Sequence, residues 1–307
     1  MGYIKFKPNG KKKLLNSIYN LSISQSYDYV VYIECIGHNL TLLPELPINL
    51  QELNCAANCL TSLPELPKSL KILSCFNNNL SKLPKLPDGL LILDYGMNNL
   101  SESINFPKLP NGLLILNCSN NNLLDLPELP NSLEKLDCSQ NQLSVLPNIP
   151  NSLKYFYCSQ NKLSILPNLP NSLQTLYCND NQLSVLTKLP NSLKELVCNY
   201  NQLSLLPKLP KSLQSLDCGE NQLTLLPKLP NKLEFLICYN NKITSLPTLP
   251  NSLIELTCWI ESFDRTLDYQ YMVKILPILP CSLIKLNCDY LEVIETIKYK
   301  YFDTLIY

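Results

Sequence analysis

The chain has 307 residues, 46% of them apolar, and its 25 basic and 25 acidic residues cancel. A balanced charge offers no field to draw nucleic acid or an anionic membrane, and Arg265 is the only arginine among the basic residues, so guanidinium forks for phosphate are nearly absent. One histidine and 7 glycines leave little material for a nucleophilic triad or a phosphate-cradling loop, and no H-x-x-H or C-x-x-C metal pair occurs.

The first 29 residues carry Lys11, Lys12 and Lys13 and then a segment broken by Asn16, Ser17, Asn20, Ser22 and Ser24. That is not the uninterrupted apolar run of a signal peptide. Phe6 stands where a myristoylation site needs Ser or Thr. No stretch approaches the roughly 20 apolar residues that span a bilayer. The expectation is a soluble, intracellular, cytoplasmic protein whose residues 1–29 form an N-terminal cap region.

From Val30 onward a pattern returns every 20 residues, and it organises the rest of the chain. The units start at Val30, Leu50, Leu70, Leu90, Leu113, Leu133, Leu153, Leu173, Leu193, Leu213, Leu233, Leu253 and Leu283. Two steps are irregular, 23 residues from Leu90 to Leu113 and 30 from Leu253 to Leu283, so the 30–290 solenoid is expected to depart from regularity at about 94–112 and 259–276. A fixed period of this length predicts a solenoid of about thirteen repeats in which each coil packs on its neighbours.

Each unit reads L-x-x-L-x-C-x-x-N-x-L-[ST]-x-L-P-x-L-P-N-S, as from Leu133 to Ser152. The L-x-C core predicts a short strand, and identical paths between strands make the sheet parallel. The cysteine points the same way as the leucine two residues before it, into the core. A column of thiols on parallel strands lacks both disulfide geometry and a tetrahedral zinc arrangement, so these are buried small hydrophobes of a reducing compartment. The asparagine three residues on, as at Asn58 or Asn141, turns the chain and offers donors and an acceptor to backbone groups the turn would leave unpaired. The two prolines of the return leg impose an extended, polyproline-like path on the convex side. After Tyr290, Leu291, Ile294, Ile297, Tyr301 and Leu305 recur at helical spacing, which assigns 291–307 as a C-terminal helical cap.

The run L-P-x-L-P-x-S-L-x-x-L-x-C-x-x-N-x-L resembles the leucine-rich repeats of bacterial type III-secreted effectors, the YopM and IpaH group. In its Asn-, Lys-, Ile- and Tyr-rich composition it is also similar to leucine-rich repeat proteins of giant amoeba-infecting viruses. The resemblance covers about residues 30–290. It implies a leucine-rich repeat solenoid with a curved parallel β-sheet on its concave face, a protein-binding function, and, in the viral case, a host-cell cytoplasmic setting. The ligase domain carried by some effectors of that group is not expected in the 17 residues after Tyr290 or the 29 before Val30.

Outward-pointing strand residues then carry the functional signal. Tyr155 and Tyr157, Tyr177, and Tyr200 form one aromatic group; Phe235, Tyr239 and Trp259 form a second beside the irregular insertion. Aromatic rings with polar tips are enriched in protein hot spots, so these seven are the expected partner-binding residues. Asp94, Asp137 and Asp217 are scattered among them and suit a basic partner. The expected function is therefore a non-enzymatic, monomeric protein-interaction module, without cofactor, metal, nucleic acid or membrane partner. The alternatives are a structural or assembly protein with no dedicated ligand, and a substrate adaptor for a separate ubiquitin-ligase complex.

Overall fold

The computed structural model describes residues 2–6, 12–15, 29–100, 107–258 and 277–288. The chain divides into two compact units, 1–162 and 163–307. The helix expected over 291–307 and the irregular stretch 259–276 lie outside the described residues.

In the first unit, Val30–Glu34 (β3), Glu52–Asn54 (β4), Ile72–Ser74 (β5), Ile92–Asp94 (β6), Ile115–Asn117 (β7), Lys135–Asp137 (β8) and Tyr155–Tyr157 (β9) pair in sequence order, all parallel. Two further strands, Gly2–Phe6 (β1) and Lys12–Leu15 (β2), add an antiparallel hairpin: β1 pairs β3 with Tyr3 opposite Glu34, and β2 pairs β1. The hairpin occupies the edge of β3 that no parallel strand fills, which removes an open template for association. In the second unit, Thr175–Tyr177 (β10), Glu195–Val197 (β11), Ser215–Asp217 (β12), Phe235–Ile237 (β13), Glu255–Thr257 (β14) and Lys285–Asn287 (β15) form a parallel ladder with the same register. Thirteen parallel strands match the thirteen repeats.

The repeat letters explain the packing. Central leucines such as Leu136 and Leu196, and the cysteines two residues after them, are fully buried. None of the cysteines is in a disulfide. Burial raises the thiol pKa values of core cysteines such as Cys75, Cys178 and Cys218, to about 12 for Cys178, so these are inert at neutral pH. Tyr95 replaces the cysteine in the 23-residue unit and is wholly buried as well.

The asparagine column closes the polar groups of the turn. Asn78 donates through Nδ2 to the carbonyls of Cys55 (3.0 Å) and Cys75 (3.1 Å), while its Oδ1 accepts from the Leu60 N–H at 3.0 Å. Asn221 repeats this on Cys198 and Cys218, with Leu203 as the donor to it. Each side chain thus joins its own coil to the preceding one. The residue before each of these asparagines is left-handed without being glycine, from Ala57 (φ 53°) through Met97 (φ 50°) and Tyr200 (φ 52°) to Asn240 (φ 46°). That conformation costs an ordinary side chain about 1–2 kcal/mol, and the asparagine bonds hold it in place. On the return leg the second proline's carbonyl accepts from the leucine N–H three residues later, as Leu133 to Pro130 at 3.1 Å. The serine between them donates back to the preceding coil, Ser132 Oγ to the Leu113 carbonyl at 2.6 Å.

Candidate functional site

With leucine and cysteine turned inward, the residues on either side of the strand leucine face solvent, and register stacks them into rows. In the second unit one row runs Thr175, Glu195, Ser215, Phe235, Glu255, Lys285 and the next runs Tyr177, Val197, Asp217, Ile237, Thr257, Asn287. Thr175 and Thr257 are buried. Beyond the strand ends lie Asn179, Asn199, Gly219 and Tyr239, and then the left-handed positions Asp180, Tyr200, Glu220 and Asn240.

The expected aromatic residues divide between the units. Tyr155 and Tyr157 stand on β9, the last strand of the first unit; Tyr155 is 38% exposed. Lys135, on the strand before, holds its Nζ 5.5 Å from the Tyr157 ring centroid, a cation–π contact. Tyr177 stands on β10 and donates its hydroxyl to Glu195 Oε1 at 2.5 Å. Phe235, Tyr239 and Tyr200 belong to the second unit, and Trp259 lies outside the described residues.

The second unit brings Tyr200 and Tyr239 together. Their hydroxyl oxygens are 3.5 Å apart although 39 residues separate them in the chain. Gly219 makes the arrangement possible: a Cβ there would meet Tyr239 ring carbons at 2.6 and 2.8 Å, so the ring lies directly against the glycine. Burial, followed by the hydrogen bond with Tyr200, raises the Tyr239 phenol pKa well above its ordinary value, keeping it a neutral donor. Tyr200 (47% exposed) and Phe235 (38% exposed) leave large apolar surfaces open to solvent. The role of Gly219 was invisible to reasoning along single repeats, because the ring that covers it comes from the next coil.

The carboxylates of this face are the other element. Asp180 accepts from Asn179 Nδ2 at 2.6 Å, Glu220 from Asn240 Nδ2 at 2.5 Å, and Glu255 from Lys285 Nζ at 2.6 Å. Among the described residues Asp217 receives only the Gly219 backbone N–H, at 3.1 Å. Its register neighbours are Val197 and Ile237. Desolvation raises its pKa above 3.8, partly offset by that single N–H bond. Among the described residues no group of three or more His, Cys, Asp or Glu side chains could hold a metal, and no helix is long and apolar enough to cross a membrane.

No family model matches the chain, and no curated protein matches it in sequence. Solved structures do. YopM from Yersinia pestis, a leucine-rich effector protein, is 32% identical over 88% of this chain and 90% of its own, with a TM-score of 0.66. The chain belongs to the leucine-rich repeat proteins of this effector type. YopM from Yersinia enterocolitica WA-314 is 33% identical with a TM-score of 0.63; the match covers 81% of this chain and spans 62% of the YopM chain. The functional domain of InlJ from Listeria monocytogenes, which includes a cysteine ladder, shares the fold at 24% identity and a TM-score of 0.67, over 86% of this chain and 64% of its own. The leucine-rich repeat fold shared with these proteins is typically a scaffold for protein interaction.

Proposed function

We propose that this leucine-rich repeat protein is a non-enzymatic interaction module that holds a polypeptide partner across the open face of the second unit, centred on Tyr200, Phe235 and Tyr239. The observation that carries the proposal is the Tyr200–Tyr239 pair, seated on a glycine and flanked by an exposed phenylalanine. Rings immobilised before binding lose little entropy on association, and their area and polar tips suit hot spots. Trp259, next in line after Tyr239 by repeat position, belongs to the same proposed site. Tyr177 is proposed as a further contact within the second unit, and Tyr155 and Tyr157 as a separate contact surface of the first unit. The likeness to YopM supports a partner in a host cell's cytoplasm, and a monomeric module is the form in which the face stays free.

Capture with the full chain from host-cell lysate supplies the partner, which is then titrated in purified form. The double variant Tyr200→Ala/Phe235→Ala is expected to weaken its binding by at least about tenfold, with the circular dichroism spectrum unchanged. Equal affinity for wild type and variant would sink this assignment.

A further inference from the structure

The open face of the second unit is charged differently from the chain as a whole. The whole chain is neutral, with 25 residues of each sign. On the face, the two rows and the positions beyond the strand ends hold Asp180, Glu195, Asp217, Glu220 and Glu255 against Lys285 alone among the described residues. Lys188, Lys208 and Lys228 sit instead on the return legs. Four of the five acids are met by a donor side chain: Asn179, Tyr177, Asn240 and Lys285 respectively serve Asp180, Glu195, Glu220 and Glu255. Among the described residues, Asp217 has no donor side chain. It stands between Val197 and Ile237, with Phe235 diagonal to it on the next strand and Glu195 diagonal on the preceding one, so no cation is among its register neighbours. A carboxylate placed among apolar side chains without a counter-charge is unfavourable in the free protein. The same surroundings make it a strong acceptor for a cation that arrives with an apolar stem.

We infer that Asp217 anchors an arginine or lysine side chain of an extended, basic partner segment, with the cationic head on the carboxylate and the methylene stem against Val197, Ile237 and Phe235. The inference rests on the partner-binding reading of this face and names the chemistry of the partner. Arginine fits better than lysine, because its planar guanidinium takes both carboxylate oxygens and stacks on the nearby tyrosine rings. Gly219 contributes by fixing one carboxylate oxygen through its N–H and letting the Tyr239 ring lie close.

The test uses short random peptides selected on the full chain and then titrated against it and two variants, Asp217→Asn and Tyr200→Ala/Phe235→Ala. Asparagine keeps the acceptor for the Gly219 N–H, as Asn117 does for the Ser119 N–H in its own coil, so the variant retains the fold. The selected peptides are expected to carry an arginine or lysine. Replacing it by citrulline or norleucine, or replacing Asp217 by Asn, weakens binding by at least about tenfold, and combining both changes costs little more. Peptides that depend on Tyr200 and Phe235 but are indifferent to Asp217→Asn would overturn the inference and leave the partner-binding reading standing. Peptides indifferent to both variants would remove both. Self-association of the full chain by sedimentation, abolished by Asp217→Asn, would also overturn it, assigning the site to lysines of a second copy.

Discussion

The same three-residue device occurs once in each unit and is used in opposite ways. Asp94-Tyr95-Gly96 and Asp217-Cys218-Gly219 both place an aspartate on the open face, bonded to the glycine N–H two residues on, at 3.3 and 3.1 Å. In both, an aromatic ring from a neighbouring coil lies near the glycine: Phe76 at 3.1 Å from the position of a Cβ on Gly96, and Tyr239 at 2.6 Å on Gly219. Asp94, however, is flanked by Ser74 and Asn117, and both donate to it. Asp217 is flanked by Val197 and Ile237, which cannot. A carboxylate solvated by its own sheet is a finished surface; one walled by apolar side chains is left for something else to complete.

The frame common to both regions should fail equally in both. Asn98→Ala and Asn221→Ala each strand carbonyls and an N–H in buried turns, and each is expected to cost about 3 kcal/mol by urea unfolding. A loss confined to one of the two would mean that the ladders are not equivalent. Gly219→Ala forces the Tyr239 ring away and should cost about 1–2 kcal/mol, with a shift of the Tyr200 ring signals in NMR. Gly96→Ala meets Ser119 as well as Phe76, and should cost a similar amount without touching either tyrosine. A common backbone gain comes next: Met97→Gly and Tyr200→Gly relieve left-handed strain and should each recover up to about 1 kcal/mol, but only Tyr200→Gly should weaken a partner.

The smallest effect separates the two aspartates most directly. Desolvation raises the pKa of both above 3.8. The folded state therefore holds the proton more tightly than the unfolded chain. The stabilisation from the protonated form is complete below 3.8 and is lost as pH rises through the folded-state value, so at pH 7 each charge is a net cost. Asp217→Asn should raise the thermal midpoint at pH 7, with the gain vanishing as pH falls toward 3.8. Asp94→Asn should gain less, because Ser74 and Asn117 already serve the charge. Equal gains would erase the distinction drawn between the two sites.

Much of the fold was legible because its constraints repeat: leucine, cysteine and asparagine recur at fixed offsets, and each offset has one physical meaning. The candidate site was legible only in part. Outward positions followed from strand alternation, so Tyr155, Tyr157, Tyr177, Phe235 and Tyr239 could be named. Tyr200 could be named too, but its company could not. Its left-handed backbone turns the ring toward a residue 39 positions later, and the contact depends on Gly219 lacking a side chain in the coil between. Such juxtapositions belong to neighbouring coils jointly and to no repeat alone. The isolation of Asp217 was hidden for the same reason, since it follows from what its neighbours fail to offer.

The asparagine ladder gives the solenoid a direction. Each amide donates backward to the carbonyl of the preceding coil's cysteine and accepts a backbone N–H from that coil, as Asn241 does with Cys218 and Leu223. The N–H of each leucine after the turn, such as Leu223, is therefore met by the asparagine of the succeeding coil, not by its own. During synthesis from the N-terminus, each coil that leaves the ribosome seals the one before it, and the growing end is always the unfinished end.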